Sequence, residues 1–146
     1  MKFDLLHPEF ETLPEKEIRD LQEKLWEQQW DYVRSTSAFY KEKLGVADDR
    51  KITLHDLEAL PFTEKEEVRR SQEESYPFGT YIACGNEKVV RVHRTSGTTG
   101  RPLQLANSRR DVDLIAVVGG RAQLSAGLRS TDRVVHCLNY CQWTGG

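Results

Sequence analysis

Along residues 14–43 the apolar side chains recur at helical spacing, with Ile18, Leu21, Leu25, Tyr32 and Val33 near one face and Trp26, Trp30 and Phe39 widening it. This pattern predicts one long helix, ended by Gly45. Shorter helices follow over 54–60, stopped by Pro61, and over 64–74, before Tyr76 and Pro77. Each has a start signal three residues deep: Thr12 with Glu15, Thr53 with Asp56, and Thr63 with Glu66. In each, a hydroxyl and a carboxylate can satisfy backbone N–H groups that the first helical turn leaves unpaired. Past residue 80 the period changes. Residues 88–93, with Val89, Val90 and Val92, read as a strand, and 103–106 as a second. Ser108 should cap a helix over 109–126 that Gly127 closes, and 133–138 should return as a buried strand. Strand, loop, strand, helix, strand indicates the start of an α/β layer behind a helical cap. The expected organisation is a helical subdomain at 1–79 and the beginning of an α/β domain at 80–146.

Charge sharpens this division. The net charge of the 146 residues is -2. Residues 1–75 hold 19 acids and 12 bases, hence -7, whereas 76–146 hold 4 acids and 9 bases, hence +5. Arg91, Arg94, Arg101, Arg109, Arg110 and Arg121 surround one glycine-rich stretch, so an anion belongs in the second half. There is neither a lysine cluster nor an interleaved aromatic pattern, which argues against nucleic acid as partner. The longest run of apolar residues and glycine, 114–120, is stopped by Arg121, far short of the ~20 residues that span a bilayer. The N-terminus carries acids and a proline in place of a basic, then apolar, secretory signal. With three cysteines, an odd number, the expectation is a cytoplasmic protein without membrane partners.

The chemistry concentrates in Arg94-Thr95-Ser96-Gly97-Thr98-Thr99-Gly100-Arg101-Pro102. Glycines permit turns that aim successive N–H groups into one concavity, hydroxyls add donors, and the flanking arginines add positive charge. A Walker loop is excluded: GxxxxGK[ST] has no match, and Pro102 disfavours helical geometry at Arg101. Spacing alone leaves two readings open, a phosphate cradle and an ordinary hairpin turn.

The same stretch resembles the phosphate-binding loop of the adenylate-forming superfamily of acyl-CoA ligases, luciferases and peptide-synthetase adenylation domains. The fuller pattern resembles the phenylacetate-CoA ligase branch: LPFTEKEEVR at 60–69, YPFG at 76–79, the loop, then Tyr140 and Trp143-Thr144-Gly145-Gly146, over about 13–146. The resemblance implies a fold in which an N-terminal helical cap precedes an incomplete α/β AMP-binding domain, with the phosphate loop at 95–102. It implies a two-step reaction, in which a carboxylate attacks Mg-ATP to give an acyl-adenylate and pyrophosphate, and coenzyme A displaces AMP. ATP, Mg2+ and CoA are the implied cofactors and a small carboxylic acid the implied partner. Thr95, Ser96, Gly97, Thr98, Thr99, Gly100 and Arg101 would hold the phosphates, and Tyr140, Trp143, Gly145 and Gly146 would line the acid pocket. One departure is Leu103, where the superfamily often carries lysine after the loop proline; Arg101 is the charge available instead.

Members of the superfamily are about three times longer. Their YGxTE-type motif, ribose-binding aspartate, hinge and late catalytic lysine are all missing from the 146 residues. The expectation is therefore the N-terminal part of an aryl- or acyl-CoA ligase, inactive in isolation and with no catalytic residue of its own. The alternative is a non-catalytic anion-binding or dimerisation module. Uncovered strand edges and apolar faces predict a homo-oligomer. Cys137 and Cys141, spaced C-x3-C with only Cys84 and His136 as further ligands, read as buried thiols rather than a metal site. His93 reads as a strand histidine satisfied by its neighbours, and Trp26, Trp30 and Phe39 as core or subunit contact.

Overall fold

The computed structural model describes residues 6–45, 52–97 and 101–137. A short α1 (Pro8–Glu11) leads into the long α2 (Glu15–Thr36) and α3 (Ala38–Lys43). A 3-10 helix (Leu54–Ala59) and α4 (Lys65–Glu74) complete the helical part. A second 3-10 turn (Asn86–Lys88) delivers the chain to β1 (Val89–Arg94), which pairs antiparallel with β2 (Gln104–Ser108), and α5 (Arg109–Ser125) follows without a break.

The long helix expected over 14–43 is interrupted at Ser37. Its backbone is extended (φ -99°, ψ 115°), and its hydroxyl donates to the carbonyl of Tyr81 at 2.9 Å and lies 3.4 Å from that of Thr80. Phe39 N–H, freed by the break, donates to Thr80 at 3.0 Å. The segment after α4 thus supplies acceptors that a continuous helix would waste, and Ser37 is buried. Below the break, the covered stripe of α2 runs through Ile18, Leu21, Trp26, Trp30 and Val33. Leu25 and Tyr32, expected on the same face, are about half exposed. Trp30 sits against Trp26 at 5.8 Å between ring centroids, with the Arg34 guanidinium 5.2 Å above its ring, so the tryptophans serve as core.

Helix starts follow the expected chemistry with two shifts. Thr53 N–H and hydroxyl both donate to the Asp56 carboxylate, at 2.9 and 2.8 Å, as the spacing implied, although the element is a 3-10 helix. Thr12 instead ends α1, its hydroxyl donating to Pro8, and Pro14 precedes α2. For α4 the box slips by one residue: Glu64 N–H donates to Glu67 at 2.7 Å. Glu67 is also held by Lys43 Nζ at 2.5 and 2.6 Å, and this pair joins α3 to α4 and selects the slipped register. The Lys43 bond, then the Glu64 N–H, draws the Glu67 carboxyl below its ordinary value of 4.5. Thr63 faces Tyr40 instead, hydroxyl to hydroxyl at 3.5 Å.

Ser108 caps α5, as expected, and Asp111 completes the box; the far end closes in a Schellman motif, Leu128 N–H to Gln123 and Gly127 N–H to Leu124, both at 3.0 Å. The α1 turn, unforeseen in the sequence, docks here through Glu11 and Arg121 at 3.2 Å. The strand expected over 133–138 does not form among the described residues. Positions 133–137 carry no ladder, Val134 and Val135 are exposed, and Leu138 lies outside the described residues. A strand read as buried needs neighbouring strands, and the described sheet has two. Cys137, expected buried, is exposed in consequence, while Cys84 is half-buried and Cys141 lies outside the described residues. Among the described residues no cluster of His, Cys, Asp or Glu could hold a metal ion.

A candidate phosphate-binding hairpin

The glycine-rich stretch is the connection of the β1–β2 hairpin, whose register runs from Val89 opposite Ser108 to Arg94 opposite Gln104, with a bulge at Val90. Thr95 closes its base: its N–H donates to Leu103 at 3.1 Å, and its hydroxyl oxygen accepts from Leu103 N–H at 3.0 Å. Leu103 is buried beneath and pins the closure. Of the residues singled out in the sequence, Thr95 is therefore partly committed to structure, though its hydroxyl proton remains free to donate. Ser96 and Arg101 are exposed on the two arms, and Gly97 has φ +69°, a left-handed backbone that a β-branched residue would occupy only with strain. Thr98, Thr99 and Gly100 lie outside the described residues, as do Tyr140, Trp143, Gly145 and Gly146.

What positions the hairpin is a polar junction that the sequence reading missed. Gln72, buried on α4, receives Gln104 N–H on Oε1 at 3.1 Å and donates from Nε2 to the Gln104 carbonyl at 2.7 Å. Tyr81 hydroxyl donates to the same carbonyl at 2.7 Å, and burial pushes its pKa up. One residue back, Ser71 Oγ accepts Thr80 N–H at 2.7 Å and meets Thr80 Oγ1 at 3.0 Å. The YPFG motif makes this approach possible. Tyr76–Pro77 is a cis peptide, and Gly79 (φ +80°) passes so close to α4 that a Cβ there would stand 2.6 Å from Ser71 Oγ and 3.0 Å from Gln72 N. Its one legible signal was that glycine, a residue type that permits a close backbone approach.

The arginines around the hairpin are unequal. Arg121 is engaged by Glu11, and Arg109 stands 4.0 Å from Asp113. Arg91, Arg94 and Arg101 are exposed beside the loop. Arg69, read in the sequence only as part of a helix, lines a cavity of about 180 Å³ with Gln72, Glu73, Tyr76, Arg101, Pro102, Leu103 and Gln104. A much larger open cleft of about 1070 Å³ separates α2 from β2 and α5, with Trp26, Tyr32, Asn107, Arg110 and Leu114 among its walls.

The described fold is similar to that of solved structures. The chain aligns with 2-hydroxyisobutyryl-CoA ligase in complex with 2-HIB-AMP and CoA, with a TM-score of 0.71 and 32% identity over 81% of this chain and 26% of that one. An open conformation of the same ligase gives a TM-score of 0.70 and 30% identity. The described residues thus have the fold of the N-terminal part of an adenylate-forming CoA ligase, and the chain belongs to that superfamily.

Within the superfamily its curated relatives are phenylacetate-coenzyme A ligases. That of Thermus thermophilus is 36% identical over 97% of this chain and 32% of its own length. Those of Aromatoleum evansii and Escherichia coli are 40% and 32% identical, over 70% and 93% of this chain. The chain spans under a third of the length of these relatives, at 32%, 22% and 31%. No family model matches it.

Proposed function

We propose that this chain supplies the ATP phosphate-binding loop of an acyl-CoA ligase that converts an aromatic or similar carboxylic acid to its acyl-adenylate and then to the CoA thioester. The observation that supports it most is the hairpin itself: a base closed by Thr95 and Leu103, a left-handed glycine at the turn, and exposed Ser96 and Arg101 on the arms. Such a loop suits a multiply charged ligand, because backbone amides and hydroxyls can converge without a bulky side chain between them. Ser96, Thr98 and Thr99 donate side-chain hydrogen bonds, Gly97 and Gly100 allow amide approach, and Arg101 neutralises charge. The loop offers hydroxyls and no carboxylate of its own, so these residues alone would not hold Mg2+; when bound, the ion would supply charge neutralisation at the phosphates. Tyr140, Trp143, Gly145 and Gly146 are assigned to the acid pocket, and residues 1–79 and 80–146 to cap and nucleotide domain.

Adenylation uses the phosphates, whereas thioester formation begins after pyrophosphate has left. In the ligase carrying this segment, Thr98→Ala and Thr99→Ala should each slow acid-dependent pyrophosphate exchange by about 1.5 to 3 kcal/mol of lost charge-assisted bonding. Thioester formation from preformed acyl-adenylate should be spared. Parental rates of both half-reactions in both variants would remove the phosphate-loop assignment.

A further inference from the structure

Among the described residues, Arg69 is a side chain near the loop whose hydrogen bonding is incomplete. Its Nη1 pairs with Glu66, but Nε and Nη2 are shut off from solvent and have no acceptor, in a side chain only 12% exposed. A buried guanidinium with two idle donors is a costly arrangement that a native protein retains when a ligand or partner group completes it. The cavity at this side chain has the Arg101, Pro102, Leu103 and Gln104 arm of the hairpin as its opposite wall. Two guanidinium groups and one carboxylate, Glu73, line it, and Glu66, which pairs with Arg69 Nη1, is not among the lining residues.

We infer that Arg69 is an oxyanion-binding residue, and that with Arg101 it grips a phosphate group lodged between α4 and the C-terminal arm of the phosphate hairpin. The fork of Nε and Nη2 matches two oxygens of one phosphate, a geometry that lysine cannot reproduce. Both nitrogens are covered, so a ligand reaches them only with a local rearrangement of side chains around the cavity, which Arg101 also lines. The choice of phosphate rests on the phosphate-loop reading above. The inference goes further by giving the helical cap a direct hand in binding, through a residue outside the loop motif.

The test is calorimetric titration of the chain with pyrophosphate, ATP and AMP separately. Pyrophosphate and ATP should bind and AMP should not, if the site takes terminal phosphates; binding of ATP without pyrophosphate would mean that the nucleotide is the source recognised. Arg69→Gln and Arg101→Gln should each weaken binding on the order of tenfold, the loss of a charge-assisted contact. Arg69→Lys keeps the charge and the reach to Glu66 but loses the fork, so it should also bind more weakly, and it decides the matter if Arg69→Gln does not fold. Parental affinity in Arg69→Lys and Arg69→Gln overturns the inference, as does a parent that binds none of the three. Gly97→Val separates the two readings. If it abolishes binding while the Arg69 variants do not, the loop stands and this site falls; the reverse pattern leaves the site and removes the loop.

Discussion

Gln72 carries more of the architecture than any apolar side chain near it. Trp30 and Leu103 are the buried hydrophobic residues among those described, whereas Ser37, Ser71 and Gln72 are buried polar ones, each fully engaged with backbone. Replacing Gln72 by leucine keeps the volume but strands Gln104 N–H, and an unsatisfied buried donor costs about 1 to 3 kcal/mol. Urea denaturation should show that loss. Gly79→Ala should be at least as damaging, because the left-handed backbone and the 2.6 Å approach to Ser71 Oγ act together. A midpoint within error of the parent for either variant would mean that α4 and the hairpin are not joined as described. Such residues are hard to read in advance. Gln72 looks like one more polar position on a charged helix, and its two bonds to Gln104 reach a strand 32 residues away.

At the scale of elements, much of the fold was legible where local chemistry decides. The Ser108 cap, the Gly127 stop, the Thr53–Asp56 start and both hairpin strands were found within a residue or two. The failures share a cause in distant contacts. Ser37 breaks a well-patterned helix because Thr80 and Tyr81 offer carbonyls, and 133–137 has strand-like residues but no neighbouring strand. The α4 start slipped because Lys43 competes for Glu67, and that pair gives a pH test. Glu67 has a depressed pKa in the folded state, so its contribution is present above the unfolded value of 4.5 and is lost as pH falls through the folded value. The melting temperature of Glu67→Gln should therefore lie below that of the parent at pH 7, with the gap narrowing below pH 4.5. A gap independent of pH would show that the carboxylate charge has no part in joining α3 to α4.

For the molecule as a whole, the apolar surface left on view is the main feature. Leu114, Ile115 and Val118 on α5 are each about half exposed, and Val134 and Val135 follow them into solvent. The segments matched are 32% and 22% of the relatives' lengths, which leaves ample chain to cover such surface in them. Among the described residues no helix is long and apolar enough to cross a membrane, so lipid is not what these helices are built to span. We expect the isolated 146 residues to self-associate at tens of micromolar. Leu114→Glu with Val118→Glu should reduce the apparent mass in light scattering; a parent that scatters as a monomer would show that this face is tolerated in water.

The contacts of Gln72 and Tyr81 with β2 also set the direction in which the sheet can grow. A glutamine amide presents a donor and an acceptor side by side, as an adjoining strand does, and here it occupies the outward N–H and C=O of Gln104. Tyr81 hydroxyl donates to the same carbonyl at 2.7 Å and accepts from Gln72 Nε2 at 3.2 Å. Side chains thus plug one margin of the ribbon, denying it to any added strand. The margin of β1, along Val89–Arg94, carries no such plug among the described residues, so a third strand, from further chain or from a second copy, would pair there.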